Sequence, residues 1–259
     1  MVARSPGITW RTLVGLLALL ASTPGHAELP DTVAKIKPSI VVVGTFNRLR
    51  SPQFVLRGTG FVVGDGSLIV TNSHVIAESG TGAGTETLAV LARSPDETQS
   101  REVRLLARDA DHDLAILRLV GPPLPALKLR ASETVREGQS VAFTGFPIGG
   151  ALGFSPVTHR GVISSITPIV LPSGNAHQLN DVSIRRLRNG SFTIFQLDAT
   201  AYPGNSGGPL YEIESGEVIG IINMVFIKES KEAVLEKPSG ISYAIPSRFL
   251  IDLLGKTGP

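Results

Sequence analysis

Gly60-Phe-Val-Val-Gly-Asp-Gly-Ser-Leu-Ile-Val-Thr71 decides the fold class. Two short β-branched and aromatic runs, Gly60–Val63 and Leu68–Thr71, flank Gly64-Asp65-Gly66. Glycine accepts the positive φ that a tight reversal needs, so the stretch reads as a β-hairpin. The same grammar recurs on both sides of it. Upstream lies Ile40-Val-Val-Val43. Downstream lie Leu88–Leu91, Val103–Leu106 and Leu114–Val120, then a break, Gly121-Pro-Pro-Leu-Pro125. Beyond the break come Ser140–Phe143, Gly161–Ser164, Phe192–Gln196, Val218–Ile222 and Ile241–Ile245. Many short strands with Gly- and Pro-rich turns predict an all-β sandwich or barrel. Two strand-rich halves around a Pro-rich linker predict two barrels packed together. Helix is expected only at the edges: Asp31 to Lys37 before Pro38, and Arg248 to Leu254, capped by Ser247 and ended by Gly255.

Composition removes several kinds of chemistry. The 259 residues include no cysteine, which excludes a disulfide scaffold, a thiolate metal site and a cysteine nucleophile. Charged residues make up 18% and hydrophobic residues 42%, so the chain can fold around a core. The amino terminus reads differently from the body. Arg4 and Arg11 precede the apolar run Leu13–Ala21, Pro24 breaks it, and Gly25-His26-Ala27 offers small residues for cleavage. That is the layout of a secretory signal peptide over 1–27. A membrane span needs about 20 apolar residues, and this run is about half as long. The remaining chain, 28–259, is expected to be exported into a bacterial periplasm with no stable membrane span. The formal net charge of +2 rests on Arg4 and Arg11; without 1–27, 22 basic and 22 acidic residues balance. No general attraction to nucleic acid is then expected.

Candidate chemistry concentrates in three places: Thr71-Asn-Ser-His74, Asp109-Ala-Asp-His-Asp113 and Tyr202-Pro-Gly-Asn-Ser-Gly-Gly-Pro209. A serine among glycines stands clear of its backbone, and the N–H groups of Gly204 and Ser206 are free to converge on an oxyanion. Serine is a weak nucleophile that needs a histidine base, and that histidine needs a carboxylate to fix its tautomer. The stretch Gly204–Gly208 also fits the G-x-S-x-G elbow of α/β-hydrolases, but there the acid and histidine follow the serine. Here the five histidines stand at 26, 74, 112, 159 and 177, all before Ser206. The order His, Asp, Ser is the chymotrypsin-type order. His112, between two aspartates, has no second histidine at ligand spacing and reads as exposed; His159 and His177 read as solvated loop residues. Arg185-Arg-Leu-Arg188 reads as a solvated basic loop. No metal, nucleotide or other cofactor site is expected.

Six segments in order resemble the HtrA/Deg-type branch of the trypsin-like serine proteases. They are Val33–Val42, Gly58-Thr-Gly-Phe61 with Thr71-Asn-Ser-His-Val-Ile76, Asp113-Leu-Ala-Ile-Leu-Arg-Leu119, Gly161-Val-Ile-Ser164, Asp198–Gly208 and Gly240-Ile-Ser-Tyr-Ala-Ile-Pro246. The resemblance implies a chymotrypsin-like pair of six-stranded antiparallel barrels, the first within 28–125 and the second, with a terminal helix, within 126–259. It assigns His74 as general base, Asp113 as orienting acid, Ser206 as nucleophile, and the turn Gly204, Asn205, Ser206 as oxyanion hole. It also implies a homo-oligomer, a trimer by analogy, and a sensor loop near 168–190.

Departures from the family pattern carry information too. The chain stops at Pro259 without room for the PDZ module that such proteases usually carry, so gating through that module is not expected. Asn205 stands where digestive trypsin-like zymogens have an aspartate, and no Ile-Val-Gly-Gly start exists, so activation without amino-terminal processing is expected. Pro203 stands where some members carry Arg; it fixes one φ beside the oxyanion turn and removes a donor. Thr200, Ala201, Ile222, Asn223 and Met224 are expected to line the primary pocket. They offer no carboxylate, so cleavage after small or medium apolar residues is expected rather than after Lys or Arg. Two classes of function follow: a serine endopeptidase acting on unfolded or regulatory envelope polypeptides, or a silent protease-fold protein with a binding or chaperone-like role. The complete His–Asp–Ser set and intact glycine turn favour the first.

Overall fold

A computed structural model describes residues 28–76, 86–93, 98–150, 153–168, 192–224 and 240–258. The expected signal segment 1–27 and, beyond Pro168, the expected sensor loop near 168–190 with His177 and the Arg185–Arg188 cluster lie outside the described residues.

The described residues form two closed antiparallel barrels. The first comprises β1 (Ile40–Phe46), β2 (Phe54–Val63), β3 (Leu68–Asn72), β4 (Thr87–Arg93), β5 (Thr98–Asp109) and β6 (Leu114–Leu119), in spatial order β1-β2-β3-β6-β5-β4. The second comprises β7 (Ser140–Gly145), β8 (Val157–Pro168), β9 (Thr193–Asp198), β10 (Pro209–Glu212), β11 (Val218–Asn223) and β12 (Ile241–Pro246), in order β10-β11-β12-β9-β8-β7. This is the double barrel expected. The opening hairpin forms as read, with Phe61 opposite Val70 and Val63 opposite Leu68. Gly64 and Gly66 take φ of 66° and 90° at the reversal. Strand β10 was not anticipated: it has four residues, begins with proline, and directly follows the serine turn.

Three apolar cores explain why the strands read as unbroken hydrophobic runs. Val41, Val43, Val62, Ile69, Ala115 and Leu117 fill the first barrel. Phe143, Ile163, Phe195, Leu197, Ile219 and Ile222 fill the second. The alternate residues Ile40, Val42, Phe61, Val70, Leu114 and Ile116 join Tyr211, Val218, Ile221 and Ile245 in a third core. Side chains alternate between faces of a strand, so a strand with a core on each side carries apolar residues at every position. Each large side chain so buried contributes roughly 1.5–3 kcal/mol.

Helices are few and peripheral. α1 (Leu29–Ile36) starts with Pro30 in its first turn, where a missing N–H costs nothing, and a 3₁₀ turn, Lys37–Ser39, leads into β1. α2 is a single turn, Ser73–Ile76. α3 (Ser247–Gly255) buries Leu250 and Leu253. Ser247 does not cap it as expected: it is the first helical residue, and its hydroxyl donates to the Arg130 carbonyl across the barrel connection. No helix among the described residues is long and apolar enough to cross a membrane.

Candidate active site

The site is assembled from the ends of strands in both barrels. β3 ends at Asn72 and the chain turns at once into α2, which carries His74. β6 begins just after Asp113, whose φ of 56° is a left-handed conformation uncommon outside glycine. That backbone is held from several sides. The Asp113 carbonyl accepts from the Ser73 N–H at 3.0 Å and from Asn72 Nδ2 at 3.1 Å. Its carboxylate Oδ1 accepts from the His74 N–H at 2.8 Å, and Oδ2 lies 2.6 Å from His74 Nδ1. An acceptor on that ring nitrogen places the proton on Nδ1 and leaves Nε2 as the basic nitrogen of the neutral ring. Asp113 is 5% exposed, whereas the His74 side chain keeps 32% of its surface open.

Ser206 stands on the second barrel, in a turn that packs against β2 and β3 of the first. The turn that carries it has Gly204 at φ 103° and Gly207 at φ 87°. A Cβ on Gly207 would collide with the Thr59 carbonyl and the Thr71 hydroxyl of the first barrel, so only glycine lets the turn seat against β2 and β3. Once seated, the Ser206 carbonyl accepts from the Thr59 N–H at 2.9 Å, and the Gly207 N–H donates to the Ile222 carbonyl at 2.9 Å. Thr59 is the joint between the barrels. Its hydroxyl donates to the Gly204 carbonyl at 2.6 Å and accepts from the Phe146 N–H at 3.0 Å. The Ser206 hydroxyl oxygen accepts from the Met224 N–H at 3.3 Å and is not hydrogen-bonded to the His74 ring.

The residues expected at the oxyanion turn separate into two roles. The Asn205 N–H donates to the Tyr202 carbonyl at 3.0 Å, so it is used within the turn. Among the described residues, the N–H groups of Gly204 and Ser206 donate to no protein acceptor. The Pro203 carbonyl accepts from the Ile148 N–H at 2.7 Å, which ties the proline to the 3₁₀ turn Pro147–Gly150. The Asn205 side chain is fully buried and has no hydrogen-bond partner for either terminal atom.

The expected pocket residues divide as well. Thr200 and Met224 are half-buried, Met224 against the second-barrel core. Ala201 and Ile222 are buried in the second-barrel core, because their strand and loop positions point inward. Asn223 is fully buried, and its Nδ2 donates to Asp113 Oδ2 at 2.6 Å. It belongs to the carboxylate rather than to a pocket. Ser242, which the sequence did not single out, ties β12 to the stretch before the serine turn: its hydroxyl accepts from the Ala201 N–H and donates to the Ala199 carbonyl, each at 2.7 Å.

Two histidines differ from expectation. His112 is not exposed; its ring stacks on Phe249 with centroids 4.0 Å apart. His159 lies in β8 rather than in a solvated loop, stacked on Phe143 at 4.8 Å with a buried, unpartnered Nε2. Burial holds its pKa below the ordinary value. Among the described residues no cluster of His, Asp or Glu has the makings of a metal site.

Comparison with known proteins fits this geometry. The family profile described as Trypsin-like peptidase domain matches residues 58–221, from the glycines before β2 ends to β11. A Pseudomonas fluorescens protein described as a probable periplasmic serine endoprotease DegP-like is 31% identical over 78% of this chain and 35% of its own length. The serine protease HTRA3 of Rattus norvegicus is 33% identical over 88% of this chain and 45% of its own length. The chain therefore spans less than half of the length of either relative. The crystal structure of Deg5 covers 86% of this chain and 90% of its own, with a TM-score of 0.61 and 27% identity. The chain belongs to the trypsin-like peptidase family, as a member of its HtrA-type serine protease branch.

Proposed function

We propose that this chain is an exported serine endopeptidase that cleaves unfolded or regulatory envelope polypeptides after small or medium apolar residues. The observation that carries the reading is the meeting of three strand ends. His74 and Asp113 share a 2.6 Å hydrogen bond on the first barrel, Asn223 of the second barrel donates to the same carboxylate, and the glycine turn of Ser206 is hydrogen-bonded to Thr59 of β2.

The chemistry follows from these positions. Substrate enters with its scissile carbonyl beside Ser206. The serine hydroxyl turns from the Met224 N–H toward His74, a rotation about a single bond. His74 Nε2 takes the proton as Oγ attacks the carbonyl carbon. Asp113, held by Asn223 and by the His74 N–H, stabilises the imidazolium that results and keeps the ring oriented. The negative charge on the substrate oxygen is met by the N–H groups of Gly204 and Ser206. Their peptide planes are preset by the Ile148 N–H, which donates to the Pro203 carbonyl, and by the Gly208 N–H, which donates to the Asn205 carbonyl. His74 then returns the proton to the leaving amine, and water repeats the cycle on the acyl-enzyme. The step requires no metal or organic cofactor.

Preference for apolar side chains is supported by Thr200 and Met224, neither of which offers a charge to a Lys or Arg. Export is supported by the layout of 1–27 and by the relative described as periplasmic. A homo-oligomer, a trimer by analogy, remains part of the proposal. Incubation of the purified chain with an unfolded protein tests the whole. Wild type is expected to produce fragments ending in Val, Ala or Leu, and Ser206→Ala none. Equal behaviour of the two, or fragments ending in Lys or Arg, would overturn the reading.

A further inference from the structure

A second histidine–aspartate pair, His112 with Asp109, directly precedes Asp113 in the chain. In the turn Asp109-Ala-Asp-His-Asp113, the Asp109 Oδ1 accepts from the backbone N–H groups of Asp111, 3.1 Å, and His112, 3.0 Å. Its Oδ2 accepts from His112 Nδ1 at 2.7 Å. Burial by itself pushes the Asp109 carboxyl up, but the hydrogen bonds from His112 and Asp111 outweigh it and the group is held below the ordinary carboxylate range. The far side of the His112 ring is covered by the second barrel. Phe249 of α3 stacks on it at 4.0 Å with planes 20° apart, and Phe192, just before β9, meets it edge-on at 4.8 Å. Arg248 covers Phe249 in turn, 4.6 Å from the ring centroid.

From this geometry we infer that His112 is a positioning residue for Asp113, clasping the aspartate turn of the first barrel to helix α3 of the second. Asp113 directly follows His112 in a left-handed backbone conformation, which costs free energy unless its surroundings fix it. The His112 main chain and ring are both anchored to Asp109, so the residue before Asp113 has no freedom to rotate. The stack on Phe249 then sets where that whole turn stands relative to the second barrel. Ser206 belongs to the second barrel and His74 and Asp113 to the first, so their alignment depends on how the barrels are tied. Thr59 ties them on one side of the site; the His112–Phe249 clasp ties them behind Asp113. Arg108, Asp111 and Arg248 are further charged groups on the elements that form the clasp.

The inference rests on the endopeptidase reading for its kinetic consequence, but not for its structural one. Three variants test it: His112→Phe keeps the stack and loses the bond to Asp109, His112→Asn offers a donor without the stack, and Phe249→Ala removes the stack from the far side. Hydrogen exchange of the His74 amide, which donates to Asp113 Oδ1, reports the carboxylate position without any need for activity. Exchange is expected to speed up in His112→Phe and Phe249→Ala while the amides of β11 stay protected, with His112→Asn closer to wild type than His112→Phe. Kinetically, kcat is expected to fall about tenfold with KM unchanged, the mark of a misplaced rather than a missing group. An inactive wild type overturns the endopeptidase reading alone, since the exchange measurement still decides the clasp. Unchanged exchange at His74, a loss in KM instead of kcat, or loosening of both barrels together would overturn the positioning role.

Discussion

The two histidine–aspartate pairs of this chain have almost the same bond and opposite surroundings. His74 Nδ1 lies 2.6 Å from Asp113 Oδ2, and His112 Nδ1 lies 2.7 Å from Asp109 Oδ2. Asp113 is buried, receives a further bond from Asn223, and leaves part of the His74 side chain open. Asp109 holds His112 under two aromatic rings, with no serine turn to face. A carboxylate on one nitrogen orients an imidazole in either case. On the proposed reading, what separates a base from a clasp is the other face of the ring, which must meet a reacting group in one pair and a packed neighbour in the other.

The sharpest way to break this comparison is to remove the charge from each carboxylate in turn. Asp113→Asn is expected to lower kcat about ten-thousand-fold, because the amide favours the wrong tautomer of His74. Asp109→Asn is expected to cost about tenfold, through geometry alone. Steady-state kinetics on one peptide substrate measures both, and equal losses would erase the distinction.

Asn223→Ala comes next. It strips one donor from the buried Asp113 carboxylate, and a hydrogen bond to a charged group contributes about 1.5–3 kcal/mol. A fall in kcat of about tenfold or more, with little change in KM, is expected; a change confined to KM would return Asn223 to the pocket. Thr59→Val acts on another tie between the barrels. It frees the Gly204 carbonyl and leaves the Phe146 N–H without its acceptor, so a loss of about 1–3 kcal/mol in a urea denaturation midpoint is expected together with a lower kcat.

The smallest effect concerns His159, which pairs with no carboxylate among the described hydrogen bonds. Its pKa is held below the ordinary 6.5 by burial, so the unfolded chain takes up the proton first as pH falls. The stability it contributes is complete above about pH 6.5 and is lost as pH falls toward the folded value. Wild type is therefore expected to lose more stability than His159→Phe between about pH 7 and about pH 5, read by denaturant midpoints. Parallel curves would show that His159 is not desolvated.

The sequence was most readable where one physical cause governed one residue. The turn Gly64-Asp-Gly66, the strand-end positions of His74 and Asp113, and the glycines around Ser206 all follow from local backbone demands, and each stands where the residues placed it. Burial between barrels was not legible. Ile40-Val-Val-Val43 announces a strand but not that its two faces serve different cores. Asn223 and Met224 are neighbours in sequence, yet backbone alternation sends one to Asp113 and the other half-buried against the second-barrel core. His112 looked exposed because its covers, Phe192 and Phe249, are distant in the chain. Strand β10 escaped notice because its four residues are short and open with proline, and Ser247 looked like a cap because nothing local revealed the Arg130 carbonyl beside it.

One measurement bears on the central claim most directly: covalent labelling by a fluorophosphonate, which reacts only with a serine activated by a base, followed by peptide mapping. A single adduct on Ser206 is expected in wild type, lost in His74→Ala and formed more slowly, but still formed, in His112→Ala. An adduct on another serine, or labelling of His74→Ala as fast as wild type, would contradict the account.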